Sequence, residues 1–86
     1  MGGKEKVPFH NRLAMLRAER GLSRKDLAEQ TGIHYQTIGY IERREYNPTL
    51  DLAFRLAKAL DVSLDAIFSP EPFTLLSSDV LADRSS

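Results

Sequence analysis

The chain has 86 residues, zero formal net charge, no Cys, 42% hydrophobic and 28% charged residues. This describes one globular domain with a modest core, too small for a separate ligand-binding domain of ordinary size and without a disulfide framework or thiolate metal site. The absence of Cys fits a reducing cytoplasm, no apolar run approaches a membrane span, and the N-terminus lacks a signal-peptide apolar region.

Residues 1–10 carry Gly2, Gly3 and Pro8 and read as a flexible arm. A first helix is predicted from Asn11, a plausible N-cap, with Leu13, Leu16 and Arg20 on one face. Gly21 suits the left-handed position that ends it. Ser23 to Asp26 resembles a capping box, with Asp in place of the usual Glu or Gln, and opens a short second helix that stops at Gly32. A third helix is predicted from about His34 to Arg43. Asn47-Pro48-Thr49 is a turn followed by an N-cap, and Asp51 adds a carboxylate to the first turn of a fourth helix. Leu50, Ala53, Leu56, Ala57 and Leu60 give that helix a clear stripe. Ser63 is expected to cap a last short helix, Leu64 to Phe68. No strand pattern intervenes, so the expected core is all-α, five helices over residues 11–68. Pro70-Glu71-Pro72 breaks the chain before a tail, residues 69–86, that holds apolar Phe73, Leu75, Leu76, Val80 and Leu81.

The charge is unevenly spread. Zero net charge counts against a nucleic-acid partner, since binders often carry a basic excess. Residues 1–25, however, hold seven Lys and Arg against two Glu, and the remainder is correspondingly acidic. Such asymmetry lets one face attract phosphate while another repels it.

The informative stretch is Arg24 to Arg43. Two short helices flank a tight turn at Gly32, Ala28 lets them approach closely, and Leu27, Ile33, Ile38 and Ile41 supply a shared core. On a wheel of about 100° per residue, Tyr35, Gln36, Gly39 and Tyr40 fall within an arc of about 140°, with Arg43 in its middle. The outer side thus offers phenols, an amide and a guanidinium. An amide can bond the N6 and N7 edge of adenine, and tyrosines can meet thymine methyls or phosphate. Gly39 costs a helix interior about 1 kcal/mol against Ala, and close approach of the backbone to a duplex is one reason to keep it.

The run Leu22 to Glu42 resembles the Cro and phage-repressor helix-turn-helix family, also called the xenobiotic-response-element family. The flanks agree. Asn11 to Gly21 is similar to that family's first helix, Asn47-Pro48-Thr49-Leu50 to the start of its fourth, and Asp61 to Phe68 to its link into the last. The resemblance implies a lambda-repressor-like domain whose third helix enters the major groove of double-stranded DNA. It places Tyr35, Gln36, Gly39 and Tyr40 on bases, and Arg24, Thr37 and Arg43 on phosphate. Arg24 occupies a position that usually holds Gln. The family often pairs an Arg of the first helix with a Glu near the end of the third. Here those are Arg17 and Glu42, read as a structural ion pair, since Arg17 lies on the apolar side of its helix near Leu13 and Leu16. Two departures stand out. Arg44 replaces the usual Gly or Asn at a left-handed position, which puts its expected phosphate contact in doubt, and His34 replaces a Ser or Thr cap.

The implied function is a sequence-specific transcriptional regulator, a dimeric repressor, cytoplasmic and nucleoid-associated in a prokaryote or phage, with no cofactor. Two histidines without Cys or close ligand spacing make no zinc site. The carboxylates form no recognisable catalytic set, and Ser23 and Ser63 read as caps, so an enzyme is not expected. The tail from Phe73 to Leu81 either packs back on its own domain or pairs with another subunit, and a homodimer joined through the last helix and tail is expected. The apolar tail also supports an alternative from another class, an antitoxin-like module whose main partner is another protein.

Overall fold

A computed structural model of the chain describes residues 6–73. Five helices appear among them: α1 (Leu13–Glu19), α2 (Arg24–Thr31), α3 (Tyr35–Glu42), α4 (Leu50–Leu60) and α5 (Leu64–Ile67). Two short strands, β1 (His10–Asn11) and β2 (Phe68–Ser69), pair antiparallel in the register His10 to Ser69 and Asn11 to Phe68. No helix among the described residues is long and apolar enough to cross a membrane.

The helix ends follow local chemistry, with exceptions. Ser23 and Asp26 form the complete capping box: the Asp26 N–H donates to Ser23 Oγ at 3.0 Å and the Ser23 N–H to Asp26 Oδ2 at 2.8 Å. These bonds, the backbone one first, hold the Asp26 carboxyl below its ordinary value of 3.8. Gly21 and Gly32 both take positive φ, 67° and 75°, and close α1 and α2. Thr49 Oγ1 accepts from the Leu52 N–H at 3.1 Å, opening α4.

Two expected boundaries move, and one expected cap makes no backbone bond. The N-cap of α1 is Arg12, not Asn11. Asn11 still supplies the polar group, since its Oδ1 accepts from the Leu13 N–H at 3.0 Å while its Nδ2 donates to the Ile41 carbonyl at 2.9 Å. Ser63 sits at the cap position of α5, but its hydroxyl donates to Asp65 Oδ1 at 2.6 Å and caps no backbone N–H. Phe68 leaves the helix for β2, where its ring meets Phe9 edge-on, with centroids 5.7 Å apart.

The core is a single cluster. Leu13, Leu27, Ile38, Ile41, Leu56, Leu60 and Ile67 are essentially inaccessible, and Ile33 and Leu16 join them. Each such side chain contributes about 1.5–3 kcal/mol through burial, enough to fix α2 and α3 against α1 and α4. The buried Thr31 hydroxyl is satisfied at the turn: it donates to the Leu27 carbonyl and accepts from the Ile33 N–H.

The described part of the expected arm is bonded to the domain. The Val7 N–H donates to the Arg44 carbonyl at 3.0 Å, and Lys6 Nζ donates to the Arg43 carbonyl at 2.8 Å. At the other end Phe73 lies under the Arg12 guanidinium, 4.6 Å from ring centroid to Cζ. The first five residues of the arm and the tail residues Leu75, Leu76, Val80 and Leu81 lie outside the described residues.

Candidate nucleic-acid interface

The turn at Gly32 sets α2 and α3 so that one side of the pair packs on the core and the other faces out. Ile38 and Ile41 fill the inner side of α3. On the outer side Arg24, Tyr35, Gln36, Gly39, Tyr40 and Arg43 line one open groove of about 200 Å³. The periodicity of α3 thus brings together all four expected base-facing residues, and α2 adds Arg24. Thr37 is half-buried and lies off this groove.

His34 is the N-cap of α3. Its Nδ1 accepts from the Gln36 N–H at 3.1 Å, a bond that requires an unprotonated Nδ1. The same ring stacks on Tyr35 with centroids 4.9 Å apart, and Lys25 Nζ lies 5.5 Å from the Tyr35 ring centroid. At the far end the Arg43 guanidinium lies 5.1 Å from the Tyr40 ring centroid and its Nε bonds Glu45 Oε1 at 3.2 Å. Both phenols are exposed and steadied by a neighbouring cation.

Beneath the groove sits Glu42, whose side chain is 3% exposed. Its Oε2 accepts from Arg17 Nε at 2.7 Å and its Oε1 from Arg24 Nε at 2.9 Å. Arg17 also donates to the Leu22 carbonyl through Nη1 at 2.9 Å. The expected Arg17–Glu42 pair is therefore present, and Arg24 makes it a three-member bridge across α1, α2 and α3. A carboxylate this deep needs such partners, because a lone buried charge is costly.

Gly39 has a second role that the sequence did not disclose. A Cβ built on it would lie 3.2 Å from Arg43 Nη1, 3.6 Å from Arg24 Nε and 3.7 Å from Arg24 Cζ. The missing side chain is the space in which two guanidinium groups converge on the outer face of α3.

Arg44 occupies the position that ends α3. It takes the left-handed conformation, φ 63°, that a side chain disfavours by about 1–2 kcal/mol. Its Nε donates to the Phe9 carbonyl at 2.9 Å and its Nη2 to the Val7 carbonyl at 2.7 Å. These bonds tie the end of α3 to the N-terminal segment at Val7 and Phe9. Lys6, within the segment composed like a flexible arm, stands at the end of α3 beside Glu45 at 3.7 Å. No local pattern signals this, because the partners are 37 residues or more apart.

Comparison with known proteins bears on the family and the fold. The helix-turn-helix family model matches residues 13–67. An HTH-type transcriptional regulator of Methanocaldococcus jannaschii is 43% identical over 58 residues, covering 67% of this chain and 88% of that protein. The control protein C.SmaI of Serratia marcescens is 44% identical over 48 residues, covering 56% of this chain and 57% of its own length. Among solved structures, the restriction-modification controller protein C.AhdI from Aeromonas hydrophila superposes with a TM-score of 0.61 at 35% identity, covering 63% of this chain and 82% of that one.

Proposed function

We propose that this chain, which belongs to the helix-turn-helix family of transcriptional regulators, is a dimeric repressor that reads the DNA major groove with α3. The observation that carries the reading is the groove itself: an amide, two phenols and two guanidinium groups converge on one outer face, over a buried carboxylate that locks α1, α2 and α3 together. Phosphate contacts from Arg43 and neighbouring cations position the domain, and contacts to base edges by Gln36, Tyr35 and Tyr40 select the sequence. The backbone at Gly39 comes closest to the duplex. Repression follows by occluding a promoter.

Dimerisation is supported by a second, apolar face. Leu50 is 64% exposed and Phe54 54%, side by side on α4. Next to them Phe9, Pro48, Ala53, Leu64 and Phe68 bound an apolar depression of about 320 Å³. A second copy seated here would bury these side chains and present two α3 helices to half-sites about one DNA turn, roughly 34 Å, apart.

The reading of α3 is tested by Gln36→Ala against a set of operator variants. The expected result is a loss of discrimination of about 5- to 150-fold at one base pair in each half-site, with other positions unaffected. An unchanged preference at every position would remove Gln36 from the readers.

A further inference from the structure

We infer that Arg24 reads a guanine of the operator, so that the reading surface is shared between α2 and α3. The inference rests on the proposal that α3 lies in the major groove.

Its first support is location. The Arg24 guanidinium lies against the backbone of α3 at Gly39, within 4 Å of where a Cβ would stand. It lines the same groove as Gln36 and Tyr40, in the middle of the face offered to bases.

Orientation is the second support. Arg24 is bonded through Nε to Glu42 Oε1, and Glu42 is itself fixed by Arg17. Among the described residues Nη1 and Nη2 of Arg24 donate to no protein group. A guanidinium held at Nε keeps its two terminal nitrogens for a paired acceptor, and guanine presents such a pair, N7 and O6, in the major groove. Arg24 is still 45% exposed, so the free end is accessible.

Local energetics give the third support, because local costs stand beside the bond to Glu42. Arg24 is the first residue of α2, where the helix dipole disfavours a cation. Gly39 weakens the interior of α3. The Arg43 Nη1 approaches the same point, 3.2 Å from the absent Cβ, which adds like-charge repulsion. An electron-rich base edge relieves all three: it draws on the cation, uses the space over Gly39 and accepts from the converging donors.

The test selects the operator of the full chain from a random duplex library. Affinities for single-base variants are then compared between wild type, Arg24→Lys and Arg24→Ala. Lysine keeps the charge and lacks the fork. The wild type is expected to prefer guanine at one position of each half-site by about 5- to 150-fold. In Arg24→Lys that preference collapses at that position alone, while the salt dependence of binding stays the same. Gly39→Ala, which crowds both guanidinium groups, lowers the same preference in a protein that remains folded. The inference is overturned if both Arg24 variants keep the wild-type preference at every position and Arg24→Ala merely weakens all duplexes equally, with a salt slope shallower by about one phosphate. No preference in the wild type would overturn this inference together with the operator-reading function.

Discussion

Helices α3 and α4 differ in what holds them together. In α4 most local rules agree: Thr49 caps it, Asp51 sits in its first turn and Lys58 in its last, and Arg55 bonds Asp51 at 3.0 Å one turn away, although its C-cap, Asp61, is left-handed with φ 58°. In α3 they do not. It is capped by a histidine ring, has no acid in its first turn and no base in its last, carries Gly39 in its interior and stops at a left-handed arginine. Contacts distant in sequence replace the local ones: Arg17 and Arg24 on Glu42, Asn11 on the Ile41 carbonyl, Lys6 on the Arg43 carbonyl, Arg44 on Val7 and Phe9. The lesson is that α4 is held largely by contacts within a few residues, whereas α3 departs from helix propensity and tertiary contacts supply the stability it forgoes.

Glu42 is the residue on which α3 depends most. Glu42→Ala leaves Arg17 half-buried without its carboxylate and frees Arg24. The expected loss is about 3 kcal/mol, the low end for a broken buried pair because Arg24 is partly exposed. Urea denaturation measures it, and an unchanged midpoint would mean that α3 does not depend on the bridge.

The same contrast was readable in the sequence to different depths. The α4 stripe and its cap lie within a few residues of each other, so periodicity and capping chemistry locate the helix. The outer face of α3 was legible for the same reason, since a 3.6-residue repeat groups Tyr35, Gln36, Gly39, Tyr40 and Arg43. The bond from Arg24 to Glu42 was not, because a helical position does not tell which way a long side chain folds. Neither was the pairing of β1 with β2, which joins residues 57 to 59 apart through two-residue strands too short to show alternation. Arg44 is the clearest case. Local rules mark it as unfavourable, and the carbonyls that hold it come from a segment composed like a free arm.

A second test addresses the exposed side of α4. Phe54→Asp places a charge in the middle of the proposed apolar contact. It is expected to shift the protein from dimer to monomer in sedimentation and to lower affinity for a two-half-site operator by about 100-fold through lost avidity. A dimer that persists would place the interface elsewhere.

Gly39→Ala sharpens the contrast in the opposite direction. Alanine favours the helix by about 1 kcal/mol, and the closest obstruction is the mobile end of Arg43. Thermal unfolding should therefore show a more stable protein that discriminates less well between operators. A lower melting temperature would mean that the guanidinium groups cannot move aside.

The smallest effect concerns pH. Asp26 has its pKa lowered in the fold by the backbone N–H and then the hydroxyl of Ser23. A lowered native value means that this contribution is complete above 3.8, the ordinary value, and is lost as pH falls through the native one. The stability gap between wild type and Asp26→Asn should be present at pH 6 and close on acidification below that range. A gap independent of pH would show that the carboxylate charge plays no part in the cap.

The most direct test of the central claim is fluorescence anisotropy with duplex fragments from upstream of the protein's own gene, with non-specific competitor and a salt titration. A repressor of this kind is expected to bind one fragment saturably, with log affinity falling linearly against log salt at a slope of about −0.9 per phosphate neutralised. Binding no tighter than to competitor on every fragment would contradict an operator there and turn attention to a protein partner.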